Sequence, residues 1–275
     1  MTKLLRACVA VALVAAAPAA RAGGFSTTNV QLLQGYDFKD PLYYTGGTMT
    51  TLTLNTFSTW EYGDSFFFAD MYTGHFKNGF DPAHPPERAP IGDANVGQNL
   101  FKLYAEWHPR LFVDQLLGQK EPLLGIIRHW GLAGEINVSQ GFGAYLAGVG
   151  FDFNVPQGWV LGLNVYYRWD STLSNVGGGK NESNQWQVSP FWTVPFALGP
   201  VPLLFTGFVD VNGSWDAAAN KPFKEIWAQP QLLVDVLATF GGKPGRLYVG
   251  SEWWYHRHPV ATSSVPQAMV QWTIY

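Results

Sequence analysis

Reactive sulfur is nearly missing from this chain: Cys8 is the only cysteine in 275 residues. It lies in a leader segment, so disulfides, thiolate catalysis and cysteine metal sites are excluded from the mature protein. Charge is also scarce, at 13% Asp, Glu, Lys and Arg, about half the usual quarter of a soluble domain. The net charge of -3 offers nothing for nucleic acid or for a basic membrane patch. Beyond the leader, no apolar run approaches the roughly 18–20 residues that a spanning helix needs. What the chain has instead is 16% aromatic residues and 30 glycines, a poor recipe for a soluble surface.

The leader reads as a secretory signal. Lys3 and Arg6 supply its charge, Ala7 to Ala17 its apolar stretch, and Ala20-Arg21-Ala22 the small-x-small cleavage site. Residues 1–22 are thus expected to be removed, leaving 23–275 as one domain. An exported, aromatic, charge-poor chain without spanning helices can still cross a membrane, because a closed β-barrel also satisfies its backbone internally.

Alternation supports that reading. In Gly63 to Tyr72, a strand places Phe66, Phe68, Asp70 and Tyr72 on one face and Phe67, Ala69 and Met71 on the other. A carboxylate among rings makes sense on the wall of a wet lumen, with the purely apolar face toward lipid. The same parity recurs in Thr48 to Phe57, in Asn99 to Trp107, where Lys102, Tyr104 and Glu106 oppose Phe101, Leu103, Ala105 and Trp107, and in Ile126 to Ile136. It continues through Ala144 to Phe153, Trp159 to Asp170, Leu203 to Asn212, Glu225 to Val236, Leu247 to His256 and Gln267 to Tyr275.

Two segments are less regular. Asn29 to Asp37 breaks parity at Leu32-Leu33, which suggests a bulge. Gln185 to Phe196 contains Pro190 and Pro195, which favours an edge or a strand end. The fold class is therefore all-β, an antiparallel transmembrane β-barrel of about 12 strands, an even number as bacterial barrels require.

Short links at Trp60–Gly63, Asn154–Gly158, Ala197–Pro202 and Thr239–Gly245 alternate with longer ones at 39–47, 75–97, 171–184, 213–224 and 257–265. That is the pattern of periplasmic turns and external loops. The segment His108 to Gly125 is too long for a turn, and a short helix or periplasmic excursion is expected around Arg110 to Leu117.

FFFADMYTG after a Trp-Glu-Tyr-Gly turn, LYAEWHPRLFVDQL, GAYLAGVGFDFNVPQGWVLGLNVYYRW, FTGFVDVNGSWD and the closing Val-Gln-Trp-Thr-Ile-Tyr together resemble the Tsx-like nucleoside-specific channels of bacterial outer membranes, and an uncharacterised branch beside them. The resemblance implies a twelve-stranded monomeric barrel whose narrow, aromatic and acidic channel binds nucleosides. It matches Phe66, Phe68 and Asp70 to the family's aromatic strand, and Glu106 with Pro109 and Arg110 to its Glu-x-x-Pro-Arg-like segment. The closing strand departs from the usual signal, since Ala268, Val270, Trp272 and Ile274 lie on the parity opposite to Tyr275. Barrel assembly machinery is still expected to recognise Trp272 and Tyr275.

A nucleoside site needs flat faces plus hydrogen-bonding groups at ring distance. Phe66, Phe68, Tyr72, Tyr104, Phe208 and Trp254 can supply the faces. Asp70, Glu106, Asp210 and Glu252 can accept from hydroxyls or amines, with Lys102 or Arg168 holding those carboxylates in ion pairs. The expected partners are a nucleoside or similar polar solute, outer-membrane lipid and the assembly machinery, with no nucleic acid and no cofactor. The same inward groups could instead form a plug without transport. A lipid-modifying enzyme is the other alternative, resting on His256, His258, Ser263 and Ser264 near an external loop. No metal-ligand spacing joins His75, His84, His256 and His258.

Overall fold

The computed structural model describes residues 24–38, 44–78, 99–139, 142–171, 182–214, 223–258 and 261–274. The expected signal segment 1–22, His84 and the long connections around it lie outside those residues. The described chain is almost entirely strand. The strands are β1 (Ser26–Tyr36), β2 (Tyr44–Trp60), β3 (Gly63–Asn78), β4 (Asn99–Phe112), β5 (Ile127–Ser139), β6 (Phe142–Phe153) and β7 (Val160–Ser171). They continue as β8 (Glu182–Leu198), β9 (Val201–Ser214), β10 (Phe223–Ala228), β11 (Gln231–Asp235), β12 (Leu247–His258) and β13 (Ala261–Thr273).

Neighbours in sequence pair antiparallel, and β1 pairs with β13, from Asn29↔Thr273 to Gly35↔Gln267, to close the sheet. Strands β10 and β11 both pair with β9 and with β12. They are two halves of one stave, so the described sheet is a barrel of twelve staves, as the alternation predicts. Pro230 marks the break, because it brings no N–H to the ladder. Across from it, Gly207 takes φ 148°, and a Cβ there would lie 2.5 Å from the Gln229 carbonyl oxygen, so this approach admits only glycine.

The strands sort their side chains by parity. Leu132, Val149, Val165, Leu232, Val249 and Val270 are exposed on the outside. Tyr62, Trp159, Phe196 and Trp272 ring one end of this belt, and Tyr145, Tyr167, Trp169 and Trp253 the other. An apolar band between two aromatic girdles is the surface a bilayer requires. Inside lie buried polar groups on nearly every stave, among them Gln31, Thr53, Asp70, Glu106, Glu135, Asn164, Gln187, Asn212, Glu252 and Gln271.

Several expectations need correction. The register is continuous through Leu32 and Leu33 on both sides of β1, so there is no bulge. Leu33 simply points inward, onto Leu233 and Met269. Pro190 lies inside β8, paired to β7 at Leu163, and not at an edge; Pro195 does sit near the strand end as expected, paired only to β9 because the β7 ladder stops at Thr193. Pro190 only interrupts the ladder to β9, whose register resumes from Val188↔Val211 at Phe191↔Phe208. The short helix expected around Arg110 to Leu117 is present as α1 (Val113–Leu116), after a β4 that runs on to Phe112. The link taken as 257–265 shrinks to two residues, 259–260, between β12 and β13.

Local polar contacts hold the elements at the end carrying the short turns. Asp114 in α1 accepts from the Trp130 backbone N–H at 3.0 Å and meets His129 Nδ1 at 2.9 Å. Asp235 caps α2 (Val236–Thr239), accepting from Ala238 N at 3.0 Å and from Gly245 N at 2.6 Å. The first and last strands also reach this end, where Ile274 N donates to Thr28 O at 2.8 Å. An epitope inserted at Gly158, in one of these short turns, is expected to be unreachable on intact cells, whereas one at Gly178, between β7 and β8, is expected to be labelled. The reverse labelling pattern would invert the barrel in its membrane.

Candidate functional site: the lumen

The register of β3 against β4 builds one wall of the lumen in layers. From the short-turn end upward it pairs Asp64↔Arg110, Phe66↔His108, Phe68↔Glu106, Asp70↔Tyr104 and Tyr72↔Lys102. Rings and charged groups therefore alternate along the same path. Ring centroids lie 5.7 Å apart for Phe66–His108, 5.9 Å for Phe66–Phe68 and 6.0 Å for Phe68–Tyr104, within the range of favourable aromatic contact.

The carboxylates of this wall are fixed by neighbours. Asp70, 6% exposed, accepts from Thr53 Oγ1 and, at 2.7 Å, from Tyr72 Oη. Glu106 accepts from Tyr104 Oη and meets His108 Nε2 at 2.7 Å. Asp70 is thus held by protein donors rather than standing free in solvent, a correction to the wetted carboxylate expected from alternation alone.

A second wall comes from β5 to β9. Glu135 accepts from Asn137 Nδ2 at 2.9 Å, and Gln187 Nε2 reaches its two oxygens at 3.3 and 3.4 Å. Asp210 accepts from Ser189 beside them. Arg168 does not hold any of the carboxylates assigned to it from sequence: its Nε donates to Asp170 at 2.7 Å and its Nη1 to Gln187 Oε1 at 2.6 Å. Lys102 is exposed, opposite Tyr72 near the loop end of β4. Phe208 lies on the second wall, half-buried, where the β8–β9 register resumes.

On this wall four buried atoms have no protein partner among the described residues: Asn137 Oδ1, Asn164 Oδ1, Tyr166 Oη and Asn212 Oδ1. Such groups need water or a solute, since burying them unpaired is costly.

The third wall, from β12 and β13, carries Glu252, which accepts from Gln231 Nε2 at 2.7 Å and Gln267 Nε2 at 2.9 Å. Above it, Trp254 meets Tyr72 of β3 across the lumen, ring centroids 6.1 Å apart and nearly perpendicular. Phe38 and Trp227 pack on the same indole at 5.8 and 5.2 Å.

Of the twelve residues chosen from sequence, Phe66, Phe68, Tyr104 and Glu106 come together, and Asp70, Tyr72, Trp254 and Glu252 line the adjoining half. Sequence reading missed two, His108 and Glu135, and gave Arg110 no role beyond its match to the family segment. His108 shares parity with Glu106 and was detectable; Glu135 joins it only through the β4–β5 register. Arg110 donates from Nε to Asp64 at 2.8 Å and from Nη2 to the same carboxylate, while Nη1 reaches Asp152 at 2.6 Å. Its guanidinium also lies 4.9 Å from the Phe191 ring on β8. Gly150 leaves space for it, because a Cβ there would crowd Asn164 Oδ1 at 2.7 Å and approach Arg110 Cδ at 3.4 Å.

The pair His256 and Ser263 faces the lumen, directly opposed in register. His256 Nε2 meets Glu225 at 2.6 Å, and its ring stacks on Trp227 at 3.5 Å. Ser264 has the other parity and accepts from Trp253 Nε1 on the lipid side at 2.9 Å.

A closed antiparallel sheet with an apolar, girdled outside and a polar, hydrogen-bonded inside is a transmembrane β-barrel, the architecture of the bacterial outer membrane. No known family profile matches the chain, and no curated protein sequence matches it. Among solved structures it is similar to the translocator domain of the autotransporter NalP from Neisseria meningitidis, with TM-score 0.42, 10% identity, and 98% of this chain and 97% of that one covered. It is also similar to a bacterial polysaccharide outer membrane secretin, with TM-score 0.40, 7% identity and 91% and 99% covered. A third is OccK1 of Pseudomonas aeruginosa, with TM-score 0.30, 10% identity and 90% and 98% covered. Likeness at this level says nothing about what enters the lumen.

Proposed function

We propose that the chain is a narrow outer-membrane channel for small polar solutes that carry a flat ring, nucleosides foremost. The observation that carries this reading is the juxtaposition of the Phe66–Phe68–Tyr104 aromatic ladder with a wall bearing the unpartnered Asn137, Asn164, Tyr166 and Asn212 groups. A base can stack on the rings while its sugar and exocyclic groups satisfy the opposite wall. The resemblance of FFFADMY and the Glu106–Arg110 segment to nucleoside-specific channels supports the same solute. Tyr72 against Trp254 makes the passage selective, since a solute has to part those rings, and transit then runs over weak sites in series. In this reading the barrel works as a monomer in outer-membrane lipid, folded there by the assembly machinery.

Catalysis is the weaker proposal. The only lumenal serine facing a histidine, among the described residues, is Ser263. An acyl-transfer site also needs free N–H donors for its oxyanion, and the β12–β13 register runs unbroken from Leu247↔Trp272 to His258↔Ala261.

Planar-bilayer recording of the refolded barrel tests the channel. Discrete conductance is expected, blocked in a concentration-dependent way by adenosine or thymidine. Phe68→Ala should weaken that block by about 1–3 kcal/mol, the worth of one stacking face. A barrel that inserts but conducts nothing would make the lumen a plug, and block indifferent to Phe68→Ala would remove the aromatic ladder from recognition.

A further inference from the structure

We propose that the lumen binds a divalent transition-metal ion, for which Zn2+ is the representative, between His108 and Glu135. The two nitrogens of His108 sit in different relations to their neighbours. Nε2 lies 2.7 Å from Glu106 Oε2, whereas Nδ1 lies 3.4 Å from Glu135 Oε2. The first distance is that of a charge-assisted hydrogen bond. The second is longer than the usual hydrogen bond, though still within ion-pair reach. It equals the ligand-to-ligand edge of a tetrahedral zinc site, since bonds of about 2.0–2.1 Å to nitrogen and about 2.0–2.2 Å to oxygen subtend about 3.4 Å. His256 provides the contrast within the same lumen, for its Nε2 meets Glu225 at 2.6 Å and leaves no room for an ion.

The surroundings are those of a supported site. A ligating imidazole ordinarily donates its other N–H to a carboxylate, and Glu106 stands at that position, itself held by Tyr104 Oη. Glu135, 2% exposed, has Oε1 engaged by Asn137 Nδ2 at 2.9 Å, while Oε2 lies toward His108 with a longer contact, 3.4 Å, from Gln187 Nε2. The ligand atoms of Glu106, His108 and Glu135 all lie within 4.8 Å of one another.

One further observation points to a cation: Asn137 Oδ1, on the amide that holds Glu135, is buried and has no partner among the described residues, which leaves a neutral acceptor over next to the proposed ligand. One imidazole with carboxylate oxygens and no thiolate suits Zn2+ or a similar borderline ion and disfavours Cu(I). Binding exchanges the Nδ1 proton of His108 for the metal, with the Nε2–H kept on Glu106. The local backbone permits it, because the β4–β5 register skips from Trp107↔Ile136 to Arg110↔Ala133, and Pro109 frees the two strands from pairing beside His108. This assignment does not depend on which solute the barrel passes.

The test uses the refolded barrel stripped with chelator and titrated with Zn2+ by calorimetry, without any nucleoside. A single saturable equivalent is expected, with a raised unfolding temperature. Glu135→Gln and His108→Gln should abolish it, Glu106→Gln should weaken it by about 10–100-fold, and His256→Gln should leave it unchanged. X-ray absorption of the Zn2+-loaded wild type should show one imidazole among oxygen donors, which decides the matter even if a variant fails to refold. No saturable binding, a first shell without imidazole, or binding unaffected by Glu135→Gln would overturn the site while leaving the conductance experiment untouched.

Discussion

Arg110→Met is expected to destabilise the folded barrel by about 3–5 kcal/mol, because removing one partner of a buried ion pair leaves uncompensated charge. The guanidinium binds Asp64 through two nitrogens and Asp152 through a third. Without it, two carboxylates on β3 and β6 face each other in the lumen beside Phe112 and Phe191. Urea unfolding in lipid vesicles, followed by tryptophan fluorescence, reads the loss as a lower midpoint. Adding Asp64→Asn and Asp152→Asn to Arg110→Met should recover most of it, since the penalty lies in the stranded charges. Arg110→Lys should recover only part, because an ammonium cannot grip one carboxylate with two parallel bonds while reaching another. An unchanged midpoint for Arg110→Met would mean that water reaches these groups freely, and the packed lower lumen would have to be abandoned.

The second large effect belongs to the outside. Val149→Arg should cost about 2–4 kcal/mol, as for a basic residue at the bilayer midplane. Val149 lies near the middle of β6, 43% exposed, between Leu132 on β5 and Val165 on β7 in register. Leu198→Arg should cost no more than about 1 kcal/mol, because Leu198 ends β8 beside the Gly199 turn, where the side chain reaches the interface. Both are strongly exposed, so a soluble protein would tolerate them alike. Equal, small costs at the two positions would show that no lipid surrounds the belt.

The contrast between these tests reflects what could be read from the chain. Parity alone assigns Val149 outward and Gly148 inward, and it does the same for Phe66, Phe67, Phe68 and Asp70, because a strand has only two faces. It also supplies the number of staves. It misreads Leu33, whose inward leucine looks like a register slip until Leu233 and Met269 are seen to meet it. The lumen of this barrel is polar in most layers and apolar in that one, and no local pattern distinguishes an inward leucine from a bulge.

Contacts across the lumen were out of reach for a different reason. Glu135 and His108 meet because Asn137 pairs with Glu106, and a register of that kind is set by hydrogen bonding between strands, not by either strand's composition. Arg168 looked like the natural counter-ion for the acidic wall, but it reaches Asp170 two residues along its own strand face, a shorter tether than any acid across the bore. The break at Pro230 went unread within Glu225 to Val236, and that the stave continues in register beyond it depends on Gly207 of the neighbouring strand.

The closing seam between β1 and β13 has a consequence in time. Gln31 donates to Gln271 at 3.0 Å across 240 positions of chain, and the backbone of β1 has its second partner only when β13 arrives. During translocation from the first residue onward, β1 therefore waits longest of all the strands with one row of N–H and C=O groups bare. In hydrocarbon that row costs several kcal/mol per unsatisfied group, and in water it invites pairing with foreign strands. A surface that shielded β1 from the outset and yielded to β13 at the end would meet that exposure, and the oldest strand is the last to become safe.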